Sequence, residues 1–299
     1  MEIHFKALPR LPSPRKIPET SEGDSRGLQK GQATRMNPIP QLPRAAYRTF
    51  TALLALLPCM AVAQNATQQS RTPVVVELFT SEGCSSCPPA DALLARLDRE
   101  QPVSTAEIIV LEEHVDYWEQ DGWHDRFSSS QYTERQNQYA PRLKFESVYT
   151  PQMVVDGATQ FVGNDGRRAY QAVAIAARTP KIALALSPPV LDGRHLACSV
   201  SAPASSSPLP KADLYAALVD PSATTQVLRG ENGGRHLDHV GVVRSLKRIG
   251  KLQDLGSGPL QFNLNAPSDA NPARMRVVVF AQDSDQGPIR GAASIGTKQ

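Results

Sequence analysis

The stretch Val74-Val75-Val76-Glu77-Leu78-Phe79-Thr80-Ser81-Glu82-Gly83-Cys84-Ser85-Ser86-Cys87-Pro88-Pro89-Ala90-Asp91-Ala92-Leu93-Leu94 decides how the chain is read. Its first third is β-branched and apolar, as in a central strand covered on both faces. A loop follows from Thr80 to Cys87. Pro88 and Pro89 then suit a first helical turn, where a missing N–H costs nothing. Ala90, Leu93, Leu94 and Leu97 recur at i, i+3, i+4 and i+7 and give that helix one apolar face. Both cysteines therefore belong at a helix N-terminus.

Downstream, Glu107 to Val115 reads as a second strand and the polar run from Ser128 to Tyr139 as a helix. Val148 to Val155 supplies a third strand. The pair Asp156-Gly157 is a hairpin signal leading into a fourth through Phe161-Val162. Asn164 or Asp165 caps a last helix carrying Tyr170, Val173, Ala174 and Ala177. The order is β-α-β-α-β-β-α over 73–178. Arg178-Thr179-Pro180-Lys181 breaks the pattern and predicts a domain boundary. From 181 to 299 about eight short strand-like runs (Ile182 to Leu186, His195 to Ala202, Leu214 to Asp220, Gln226 to Arg229, Val240 to Leu246, Gln261 to Asn265, Met275 to Ala281, Ile289 to Ile295) predict a mainly antiparallel β-sandwich domain.

Upstream, Arg44 and Arg48 precede an apolar run from Thr49 to Met60 and the small-residue site Ala61-Val62-Ala63. This is the pattern of a secretory signal over 36–63, too short to span a bilayer, with the mature chain starting at Gln64. Pro58 before Cys59 argues against a lipid anchor. Residues 1–35 are Pro-rich and aperiodic and read as an upstream extension foreign to the natural protein. The 299 residues, 40% hydrophobic and 20% charged, fit two globular domains. Removing the nine Lys/Arg and four acidic residues of the first 63 from totals of 32 and 29 leaves 23 against 25, a net charge of −2. That balance disfavours nucleic-acid binding, and the mature chain offers no membrane span.

The β-α-β-α-β-β-α order, with C-x-x-C after the first strand and Thr150-Pro151 opening the third, resembles the thioredoxin fold. Three stretches carry a narrower likeness: Val75 to Asp91, His114-Val115-Asp116-Tyr117-Trp118, and Val148 to Gly157, extended by Arg229-Gly230-Glu231-Asn232 and Val242-Val243-Arg244. They are similar to a family of exported bacterial thioredoxin-like proteins catalogued as a domain of unknown function (DUF1223 type). The likeness implies an α/β thioredoxin-like domain followed by the β-sandwich, and a cis Pro151 facing the dithiol.

The chemistry expected is thiol–disulfide exchange with protein thiols or disulfides, in an exported compartment that lets such a bond persist. Cys84, exposed and close to unpaired N–H groups and the helix dipole, is the expected attacking sulfur; Cys87 is more buried and resolves. Thr150-Pro151 would present backbone to an extended partner. Glu77 resembles the buried acid that moves a proton for the resolving cysteine in thioredoxins, unless the loop offset turns it to solvent. His114 and Asp116 share one side of a strand end and either hold a thiolate or metal or stabilise the loop. Trp118 and Trp123 either wall a groove or pack over the helix. His236 and His239, near Glu231, have a spacing that points them to opposite faces and reads better as a polar hairpin. Cys198 reads as a small buried hydrophobe. Gly83, Ser85 and Ser86 depart from thioredoxin's Trp, Gly and Pro, so the redox direction is open. The motifs call for no cofactor. Two other readings stand beside exchange: a Cu(I)-handling module using Cys84, Cys87 and His114, and a non-enzymatic envelope interaction protein with an inert disulfide.

Overall fold

Strand β1 (Thr72–Thr80) sets the two faces of the molecule. Val74, Val76 and Leu78 turn to one side; Val75, Glu77 and Phe79 turn to the other. Helix α1 (Pro88–Glu100) lays Ala90, Leu93, Leu94 and Leu97 on the first face. It stops where Gln101 becomes left-handed, φ 46°, and its N–H returns to Leu97 O. Strand β2 (Ala106–His114) runs parallel to β1 along its whole length, ending with His114 opposite Thr80. Helix α2 (Ser130–Leu143) covers the second face with Tyr132 and Tyr139. It starts two residues later than the sequence pattern predicts, because the Ser129 side chain caps it by accepting from Gln131 N–H. Strands β3 (Gln152–Val155) and β4 (Thr159–Val162) form a hairpin beside β1. Asp156 and Gly157 at its tip have φ 57° and 64°. Gly157 is also required for space: a Cβ there would lie 2.4 Å from Gly287 O. Helix α3 (Gly166–Ala176), capped by Asp165, returns to the face of α1.

These coordinates come from a computed structural model, which describes residues 71–203 and 208–297. The expected signal segment, the upstream stretch and cleavage after Ala63 lie outside the described residues.

The second half differs from expectation. It contributes β5 (Ala185–Leu186), β6 (Val190–Asp192), β7 (His195–Ser201), β8 (Asp213–Gln226), β9 (His236–Lys251), β10 (Leu260–Asn265), β11 (Arg276–Gln282) and β12 (Ile289–Gly296). Four of these strands continue the sheet of the first half, giving an eight-stranded sheet of order β12-β11-β8-β9-β2-β1-β3-β4. The boundary expected at 178–181 therefore does not separate two bodies, and the described residues on both sides of it belong to a single compact unit. A smaller sheet of β10, β7, β5 and β6 stacks on one face of β8 and β11 through Leu196, Cys198, Val200, Leu214, Leu218, Phe262 and Val277. The other face of those strands, through Val219, Val278 and Phe280, shares a core with Val75, Ile109 and Tyr132.

The joint between the halves is narrow. Strands β2 and β9 are parallel and pair only at Glu112 and Val242. Gly241, φ 65°, allows the approach, since a Cβ there would sit 2.8 Å from Val110 O.

Candidate functional site

Cys84 and Cys87 form a disulfide with Cα atoms 5.4 Å apart, ahead of α1. Both are fully buried, whereas Ser85 and Ser86 between them are exposed. The expectation that Cys84 is exposed is thus corrected. A loop from the β8–β9 hairpin lies on the motif: Asn232 Nδ2 donates to Glu82 O and Cys84 O at 2.9 Å each, and Glu231 accepts from Ser85 N–H at 3.2 Å. The second half of the chain therefore covers the cysteines.

The expected unpaired N–H groups are also absent from this turn. Pro88 and Pro89 have none, and those of Ala90 and Asp91 bond to Cys87 O at 2.8 and 3.1 Å. The helix dipole remains, and Ser86 Oγ lies 3.4 Å from Cys84 Sγ.

Thr150-Pro151 is cis. A Cβ on Gly163 would meet Pro151 Cβ and Ala90 Cβ at 3.1 Å each, which places Pro151 beside the first turn of α1. Trp118 joins the two loops: its indole N–H donates to Thr150 Oγ1 at 2.8 Å, and its Cβ stands 3.0 Å from where a Gly83 Cβ would be. Gly83 therefore leaves room for Trp118. Trp123 sits on the same loop, donating to Glu82 Oε2 at 2.7 Å. Cys84, Cys87, Thr150 and Pro151 are thus gathered on one side of the sheet's end.

Glu77 is not part of that group. It lies on the opposite face, where Arg135 Nε and Tyr139 OH each donate to it at 2.6 Å. The reason is parity: the even residues of β1 face α1, and Glu77 faces α2. Glu113 joins it there, its Oε1 3.5 Å from Arg135 Nε. Burial, reinforced by Glu77, pushes the Glu113 carboxyl well above the usual range.

His114 is also engaged elsewhere. Its Nδ1 is 2.7 Å from Asp125 Oδ2, and its ring stands 4.8 Å from that of His239. His239 Nδ1 is in turn 2.7 Å from Glu112 Oε1. Burial works against charged imidazoles, but Asp125 then Glu112 outweigh it for His114, raised to about 9. Glu112 then Glu82 do so for His239, raised to about 11. Burial likewise opposes the Glu112 carboxylate, yet His239 and His114 hold it down at about 2. Asp91, whose carboxylate accepts from Thr80 Oγ1 at 2.7 Å, is pushed up to about 7 by burial and then by Glu112. Asp116 turns away to Thr133, and His236 is exposed on the far side of β9. The set Cys84, Cys87 and His114 is not the one the fold draws together; His114 groups with Glu112 and His239.

Sequence reading missed Asp91, Glu112, Asp125 and Asn232. Asp91 carries a local signal, standing three residues before Leu94 on the apolar face of α1. The others depend on contacts that span up to 150 residues.

Among the described residues no helix is long and apolar enough to cross a membrane. The fold and this end of the sheet define a mixed α/β protein with a buried disulfide before a helix. The family described as "Protein of unknown function (DUF1223)" matches residues 75–282, and the chain belongs to it. A crystal structure of an Agrobacterium tumefaciens protein is similar at 26% identity and TM-score 0.58, over 77% of this chain and 96% of that one. A domain of an outer membrane lipoprotein from Porphyromonas gingivalis aligns at 12% identity and TM-score 0.24, over 40% of this chain and 89% of that one. No curated protein matches the sequence.

Proposed function

We propose that the chain is an exported, thioredoxin-like thiol–disulfide oxidoreductase acting on protein thiols. The observation that carries this reading is the Cys84–Cys87 disulfide before α1 with Thr150-Pro151 beside it, tied through Trp118. A partner thiolate attacks Cys84 Sγ, the bond to Cys87 breaks, and Cys87 leaves as a thiolate that takes a proton. A second partner thiolate then attacks its own mixed-disulfide sulfur and releases Cys84. Two electrons and two protons pass to the protein, and the reverse sequence reduces a partner. Glu231 and Asn232 must release the motif for the first attack to occur. Glu77 takes no part, since both its oxygens are committed on the far face.

The test uses envelope extracts of cells expressing Cys87→Ala. The expected result is a ladder of adducts that reductant removes and that Cys84→Ala/Cys87→Ala lacks. No adducts under either oxidising or reducing growth would overturn the reading and leave an inert disulfide.

A further inference from the structure

We infer that Glu112, His114 and His239 bind a zinc-class divalent cation that clamps β9 to β2. This inference is independent of the redox reading. The three residues each offer one ligand atom within 4.8 Å of the others, and all three are buried. His114 Nε2 has no hydrogen-bond partner, and neither has His239 Nε2 or Glu82 Oε1. Buried polar atoms are ordinarily paired, so these orphans need a cause, and the one at His114 Nε2, beside Glu112, is the one that a cation would satisfy.

The spacings supply one. His114 Nε2 stands 3.6 Å from Glu112 Oε1, and His239 Nε2 stands 3.6 Å from Glu82 Oε1. Those distances are too long for a hydrogen bond. The edge of a tetrahedral site with bonds of about 2.0–2.2 Å is roughly 3.4 Å. A cation takes His114 through Nε2, Glu112 through Oε1, and His239 through Nδ1, once the Glu112–His239 contact opens from 2.7 Å to such an edge. The outer positions are already furnished. His114 Nδ1–H donates to Asp125, and the Nε2–H of His239 is left facing Glu82, whose other oxygen is held by Trp123. The Asp125 carboxylate bonded to His114 fixes that ring's tautomer and raises its basicity as a ligand, whereas Glu82 stands 3.6 Å from His239. Two imidazoles with one carboxylate favour zinc over magnesium or calcium, which prefer all-oxygen shells.

Position gives a second, independent reason. Glu112 and His114 are on β2 and His239 is on β9, across the seam where only Glu112 and Val242 pair. Glu112 Oε2 already accepts from Val240 N–H at 2.8 Å. A cation there ties the two halves of the sheet where backbone hydrogen bonding is thinnest.

The test is titration of the full chain carrying Cys59→Ala and Cys198→Ala with Zn2+ alone, with the Cys84–Cys87 disulfide intact, so that no thiolate competes. Co2+ is the spectroscopic probe. One equivalent is expected per chain, with the strong visible absorption of four-coordinate cobalt and a raised urea midpoint. His239→Gln abolishes uptake, and Asp125→Asn, which keeps every ligand, weakens it about 10–100-fold. His236→Gln on the exposed side leaves it unchanged. Near-UV circular dichroism identifies variants that fail to fold, and Asp125→Asn then carries the test. No uptake by native protein or by protein refolded with Zn2+, or equal affinity in a folded His239→Gln, overturns the inference. Mixed-disulfide capture by Cys87→Ala is read separately, so either claim can fail alone.

Discussion

Two buried charged groups occupy opposite faces of the same sheet, and neighbouring residues of β2 feed them: Glu113 one, Glu112 and His114 the other. On the α2 face, Arg135 donates through all three of its nitrogens. Nε donates to Glu77, Nη1 to Gln286, and Nη2 to Tyr139 and Gln282. Arg135 meets Glu77 there, and Glu113, whose carboxyl burial pushes well above the usual range, lies beside them with neither oxygen hydrogen-bonded. On the α1 face, three carboxylates surround two imidazoles and several atoms find no partner. Burial is equal in the two places; what is left open differs. On the first face the Arg135–Glu77 pair is complete and only the Glu113 carboxyl lacks partners, whereas the second leaves ring nitrogens of two histidines and a carboxylate oxygen open, which is capacity for a ligand.

The largest effect expected from this contrast is at Arg135. Arg135→Met strands the Glu77 charge and should cost about 3–5 kcal/mol in urea unfolding. A loss below about 1 kcal/mol would mean that the α2 face is no more committed than the other.

A smaller effect concerns the cover over the disulfide. Asn232→Ala removes its two hydrogen bonds to the motif, worth about 1 kcal/mol each, together with the one it accepts from Arg235 Nη1. Reduction of Cys84–Cys87 by a small dithiol should then quicken about tenfold. An unchanged rate would show that Glu231 and Trp118 hold the loop without it.

The smallest is read at Cys198, between β8 and the small sheet. Burial pushes its thiol up to about 11. The unfolded chain ionises it near roughly 8.5, so between these values the folded state holds the extra proton and stability falls as pH rises. Native protein at pH 8 should resist iodoacetamide at Cys198. Cys198→Ala should flatten the stability profile across that window only.

What the sequence made legible follows the range of the interactions. β1, α1, the Asp156-Gly157 turn and the Asp165 cap are written in residues a few positions apart. The cis Pro151 came from the family likeness, not from spacing. The seam was not legible, because one residue pair joins β2 to β9 and the 16-residue strand β9 reads only as the shorter run Val240 to Leu246. His239 looked like half of a polar hairpin because its partners lie 125 and 127 positions back, on β2. Glu77 was placed on the wrong side because strand parity relative to α1 depends on loop geometry, which the sequence leaves open.

The Arg229–Asn232 turn has one more consequence. The dithiol belongs to the first half of the chain, yet access to it is controlled by a hairpin tip about 150 residues later. Hairpin tips tolerate insertion and exchange more readily than strands or helices do. On the proposed exchange reading, what reaches the sulfurs can thus be altered at that tip while the sulfurs, the helix and the sheet stay as they are: the lock changes without recutting the door.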